Sequence, residues 1–269
     1  MTPWILAGAA FLAMALAGGG AMLIARRLPI DWRGEGSIEN LKTSIAMVAT
    51  MSSLLLGLMV NSSRYNLSEA YSDVQKYAAA LQITDLDLLS YGPAACPLRL
   101  TLHTYTHELL AENWDSVTAF SANMIAEDAL QTLLRFDGQI RALETVTAGQ
   151  EARRNSLLAA SRQLLEYRWK VTGVARTATP VNLIVVVICW FALIFAYSGL
   201  FAPANPLVIG GHILAMATIA AAIFLVTEMG EPFAGAIQVS PAPIQRLLHR
   251  MEAVPCPSAA RLLEGVRPG

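Results

Sequence analysis

Four long apolar runs, two before and two after a polar middle, constrain this chain more than any other feature. They cover about residues 4–25, 44–60, 181–201 and 207–227. Each approaches the ~17–25 residues that a helix needs to cross a hydrocarbon core of ~30 Å. Backbone polar groups in lipid must be satisfied within the segment, so each run reads as a membrane helix. The predicted architecture is an all-α integral membrane protein with four transmembrane helices in two hairpins, flanking an extramembrane helical bundle.

Composition agrees with this. Only 14% of the residues are charged and 55% are hydrophobic. A formal net charge of −1 supplies no basic field to collect nucleic acid, so nucleic-acid binding is excluded. The first run has no Lys or Arg before it, and Arg26 and Arg27 follow it. It reads as a retained anchor, not a cleaved signal peptide. The three cysteines, Cys96, Cys189 and Cys256, fit no zinc spacing and read as incidental.

The domain reading follows from the runs. Residues 1–61 form the first transmembrane hairpin, 62–179 the helical bundle, 180–227 the second hairpin, and 228–269 a tail. Pro29, Gly34 and Gly36 break the first loop, and Pro203 and Pro206 bracket a tight tip between the last two spans. From Leu67 the apolar positions run Tyr71, Val74, Ala78, Leu81, then Asp85, then Leu88, a heptad seam with one polar break. No breaker precedes this seam, so the second span is expected to continue into the bundle until Tyr91-Gly92-Pro93. Further bundle helices are expected over 97–114, 116–147 and 150–176. In the tail, Ser240 is the expected N-cap of a short amphipathic helix at about 241–252, with Ile244, Leu247, Leu248 and Met251 on one face. The tail beyond Pro255 is expected to be loose.

The second span carries the most suggestive pattern. Thr43, Ala46, Thr50, Ser53, Gly57 and Asn61 recur every three or four residues, so small and weakly polar groups form one stripe. Such a stripe lets membrane helices pack closely. It could equally line a water-filled path shared by several subunits. Glu228 and Glu231 stand where the fourth span ends, positioned to mark the boundary, pair with arginines or hold a cation. His103 and His107 lie one turn apart but no third ligand accompanies them, so no metal is expected. His212, about one turn inside the fourth span, is an ionisable group in an expensive place. Gly18, Gly19 and Gly20 suit close helix contact rather than phosphate. No nucleophile elbow or phosphate loop is present, so neither an enzymatic role nor a cofactor is expected.

Several of these segments resemble the bacterial bestrophin-like domain membrane proteins. The clearest match is the tail motif, with Glu228, then Pro232, Phe233 and Gly235, then Ser240 and Pro243. Leu200 to Asn205, Leu55 to Leu58, Tyr91-Gly92-Pro93, and Glu112 with Trp114 are also similar to that family. The sequence departs from the pattern at Gly230, where an aspartate is common, and at Glu231, where a basic or amide residue is frequent. The resemblance implies kinship with bestrophins, which are pentameric anion channels with both termini cytoplasmic. It therefore implies self-association in a bacterial inner or plasma membrane, small ions as cargo, and a cytoplasmic bundle. Lys and Arg near the span ends are almost evenly divided between the two sides, so charge alone does not set the orientation.

Overall fold

A computed structural model of the chain describes residues 3–25, 27, 35–114, 122–174, 181–203, 205–233, 235–254 and 256. Pro29 and Gly34 of the first loop, the stretch 115–121 and the tail beyond Cys256 lie outside the described residues, whereas Gly36, expected to break that loop, falls in the first turn of α2. Every regular element among the described residues is helical: α1 (Pro3–Ala25), α2 (Glu35–Tyr91), α3 (Cys96–Trp114), α4 (Ala122–Arg141), α5 (Ala148–Val174), α6 (Val181–Phe201), α7 (Pro206–Met229) and α8 (Ala242–Ala253), with a 3-10 turn at Pro93–Ala95. They form two compact units, one of residues 1–67 and 177–231, the other of residues 68–176 and 232–269.

The first unit holds the apolar helices. Among the described residues, four helices are long and apolar enough to cross a membrane: α1, the part of α2 from Leu41, α6 and α7. At ~1.5 Å per residue, the 23 residues of α1 reach ~35 Å. The core of this unit is built by α1 against α6 and α7. Ala10 and Met14 meet Ile184, Val187, Phe191 and Phe195 of α6, and Met216, Ala220, Ile223 and Val226 of α7. The Trp4 and Phe224 rings lie 4.3 Å apart, placing the start of α1 beside the end of α7. From α2 only Met59 enters this core fully, with Leu55, Leu56 and Val60 at its edge.

Two glycines of this unit approach each other closely. A methyl at Gly199 of α6 would fall 3.0 Å from the carbonyl carbon of Gly18 in α1 and closer still to its oxygen. Gly19 and Gly20 face open space. The expectation of close contact at the glycine triplet therefore holds for one of its three members. Backbones can approach this closely only where side chains are absent, which is how helices associate when lipid supplies no hydrophobic drive.

The second unit is the helix bundle. As expected, α2 runs unbroken through the heptad segment and stops at Gly92, whose φ of 101° a residue with Cβ would adopt only under strain. Val74, Ala78, Leu81, Asp85 and Leu88 are buried, whereas Tyr71 at the start of the seam is exposed. Leu98, Leu102, Tyr105 and Leu109 of α3, Leu133, Phe136 and Ile140 of α4, and Leu157 and Leu164 of α5 complete the core. The third bundle helix ends at Arg141, short of the expected 147. Thr147 and Gln150 explain this: the Gln150 side chain accepts from the Val146 and Thr147 amides, and the Gln150 amide donates to Thr147 Oγ1. This reciprocal cap starts α5 and leaves Val146 in solvent.

Candidate functional site

All six residues of the second-span stripe, Thr43, Ala46, Thr50, Ser53, Gly57 and Asn61, are exposed. The opposite side of α2 supplies the buried groups, Ser52, Met59 and Ser63. Apart from its own helical turns, nothing lies within 4 Å of the place a Gly57 Cβ would occupy. Thr43 and Thr50 donate their hydroxyls to the carbonyls of Glu39 and Ala46, at 3.1 and 2.8 Å. Each hydroxyl thus keeps an oxygen facing outward while its proton is satisfied within the helix. The stripe thus lies on the exposed side of α2. Lys42 stands beside its start, and Arg64, three residues beyond Asn61, continues it; both are exposed. No acidic residue lies between them in the sequence.

The tail motif folds into a tight loop in the bundle unit. The Val239 amide donates to the Pro232 carbonyl at 2.7 Å, closing residues 232–239. Gly235 sits at φ 87°, the left-handed region that glycine enters without strain. Trp114 clamps the loop from α3: its Nε1 donates to the Val239 carbonyl at 2.7 Å, and its ring meets Phe233 edge-on at 5.2 Å. Ser240 is not the N-cap itself. Pro241 takes that place, and the Ser240 hydroxyl accepts from the Ala242 amide at 3.3 Å. Pro243 falls in the first turn of α8, where a missing N–H costs nothing. In the other unit, Glu228 is buried at the end of α7 while Glu231 is exposed.

α8 docks on the bundle through Ile244, Leu247 and Met251. Its far end is held by Arg99, a residue the sequence did not single out. Arg99 donates from Nε to Asp85 Oδ1 at 2.6 Å and from Nη2 to the Met251 carbonyl at 3.2 Å, with Nη1 on the Val254 carbonyl. The polar break in the heptad seam is therefore the buried partner of an arginine. The cysteine reading is corrected here. Cys96 and Cys256 form a disulfide, with Cα atoms 5.8 Å apart across 160 residues of sequence. Cys189 alone is free. The tail is thus tied at Cys256 and not loose there.

A second buried cluster lies deeper in the bundle. Arg168 forks onto Glu112, Nη1 to Oε2 at 2.9 Å and Nη2 to Oε1 at 3.1 Å. The Tyr77 and Tyr105 hydroxyls share a hydrogen bond beside it. Burial pushes the Tyr105 phenol above its ordinary value, opposed by its bond to Tyr77 and by the Arg168 charge.

Three of the histidines, His103, His212 and His249, have ordinary partners. His212 lies 2.7 Å from Ser198 Oγ through Nε2 and 2.8 Å from the Val208 carbonyl through Nδ1, so both ring nitrogens are used. His103 sits 3.7 Å from Glu252. His107 and His249 line a groove of about 530 Å³ with Trp114, Pro241, Gln245 and Leu248. Among the described residues, no three His, Cys, Asp or Glu side chains gather to hold a metal.

Residues 11–244 match the Bestrophin-like domain family. No curated protein matches the sequence. Among solved structures, the fold is similar to a bacterial Bestrophin homologue from Klebsiella pneumoniae, with 14% identity, a TM-score of 0.64, and coverage of 93% of this chain and 97% of that one. A point variant of that homologue aligns with a TM-score of 0.64 at 15% identity over 94% of this chain and all of that one. A structure described only as a membrane protein variant gives a TM-score of 0.67 at 15% identity, covering 92% and 98%. At such identities the likeness is one of fold, and it runs almost end to end. The family match spans the apolar helices, the bundle and the tail motif through Ile244, and by it this chain belongs to the Bestrophin-like domain family.

Proposed function

We propose that this membrane protein is a homo-oligomeric channel for small anions in a bacterial plasma membrane. Its four spans form two hairpins, the stripe on α2 faces a central axis, and the bundle is cytoplasmic. The exposure of all six stripe residues carries this reading. An exposed face of small and hydroxyl-bearing residues on a membrane helix suits contact with other copies or with water. A pore lined in this way is narrow, weakly polar and able to gate by dewetting. Exposed Lys42 and Arg64 flank the stripe, and several copies would multiply them into basic rings.

A non-conducting scaffold or sensor that binds a partner through its helical bundle is the other reading. The heptad seam, its most suggestive surface in the sequence, is spent inside the bundle from Val74 onward. Reconstitution of the pure protein into a planar bilayer tests the channel. Single-channel currents reduced by Ser53→Trp are expected. Silence over a wide voltage range, with oligomers verified in the same sample, would overturn the proposal.

A further inference from the structure

We propose that Cys96 and Cys256 form a reversible thiol–disulfide latch that ties the chain just beyond α8 to the start of α3. The geometry brings the two together without help from the bond. Cys96 opens α3, and Arg99, one turn later, holds the carbonyls of Met251 and Val254 at the end of α8. Asp85 holds that arginine in turn. His103, one further turn along α3, reaches Glu252. The apolar face of α8 is buried as well, through Ile244, Leu247 and Met251. These ties persist when the bond opens, so both redox states share one bundle and differ only in whether the chain is fastened after Val254. Both cysteines are half-buried, which leaves the sulfurs within reach of a small thiol or disulfide.

The chemistry closes with a low-molecular-weight disulfide as oxidant. The thiolate of one cysteine attacks it, forming a mixed disulfide and releasing one small thiol. The second cysteine then attacks the protein sulfur of that mixed bond and releases the other small thiol. Two electrons pass from the cysteine pair to the oxidant, and a small thiol pool reverses each step. That the latch is reversible rests on the cytoplasmic placement proposed above. Thiols on that side are kept reduced, and disulfides that do form there are transient and redox-sensing.

Alkylation with a heavy maleimide, after rapid quenching and denaturation of whole cells, counts free thiols on the full-length protein. Three are expected in unstressed cells, falling to one (Cys189) after a pulse of a membrane-permeant disulfide, and returning to three with dithiothreitol. On the purified protein, hydrogen exchange should slow around Val254 on oxidation while α3 and the first turns of α8 stay unchanged, and Cys256→Ser should behave as the reduced form. A bond already complete in unstressed cells would overturn reversibility. A thiol count unmoved by the oxidant, or α8 unfolding on reduction, would overturn the latch itself. An impermeant maleimide applied to intact spheroplasts after an impermeant phosphine reductant separates the causes: labelling of Cys256 from outside refutes the cytoplasmic placement. Neither readout depends on current, so loss of the channel reading leaves this test intact.

Discussion

A methyl group at Gly199 has nowhere to go. The nearest atoms are the backbone of Gly18, part of a packed helix and unable to rotate aside as a flexible side-chain end would. Gly199→Ala should therefore push α1 from α6 at a cost of about 1–3 kcal/mol. A lowered unfolding temperature in detergent, with Gly19→Ala unchanged because its Cβ would meet open space, checks this. Equal effects of the two substitutions would mean that the glycine crossing does not hold the helices. A second residue-scale consequence concerns Tyr105. Its phenol is neutral in the folded bundle at pH values where the unfolded chain, near its ordinary value of about 10, has begun to ionise. The folded state then binds more protons than the unfolded one, so stability falls as pH rises above that point. Tyr105→Phe should lessen the alkaline loss of stability, as followed by circular dichroism against pH. An unchanged alkaline slope would place the sensitivity elsewhere.

At the scale of elements, the tail motif and α8 act as a strap laid on α3. Trp114 and Arg99 stand at opposite ends of that helix and hold residues 239 and 251–254 respectively. Trp114→Phe keeps the aromatic contact with Phe233 but removes the bond to the Val239 carbonyl. It should cost about 1 kcal/mol and speed proteolysis within residues 232–241. No gain in cleavage would mean that the closing bond from Val239 to Pro232 holds the loop unaided. Much of this element level was legible in the sequence. The heptad positions gave the buried face of α2, and the absence of a breaker after Val60 gave its continuity. Asp85 was visible as an interruption, but its partner Arg99 was not, since nothing in a lone arginine tells which helix will face it. The disulfide was hidden for a related reason. Cysteine spacing does not reveal connectivity, and this pair closes over 160 residues. Gly18 was visible within a triplet, while Gly199 sits in an ordinary apolar run and becomes meaningful only beside it.

At the scale of the whole molecule, the proposed channel and a packing interface ask different things of the stripe on α2. Its periodicity was plain in the sequence, but small residues serve a helix interface and a water path equally well, and the difference lies in what is placed against them. The two uses respond differently to added bulk. If the stripe lines water, Thr50→Leu, Ser53→Leu and Gly57→Leu should reduce conductance and leave the oligomer whole, because leucine narrows and dries the path without touching a subunit contact. If it packs subunits together, the same changes should shift the assembled mass in mild detergent toward the monomer. Arg64 separates the uses by charge as well. As the basic continuation of a pore-facing stripe, its replacement in Arg64→Glu would exchange a ring of positive charges for negative ones. The reversal potential in a salt gradient should then move toward the cation value. Screening limits that field to about 10 Å at 0.1 M salt, so the shift should shrink as ionic strength rises. A reversal potential indifferent both to Arg64→Glu and to salt would place Arg64 away from the ions, and with it the face of α2 on which it stands.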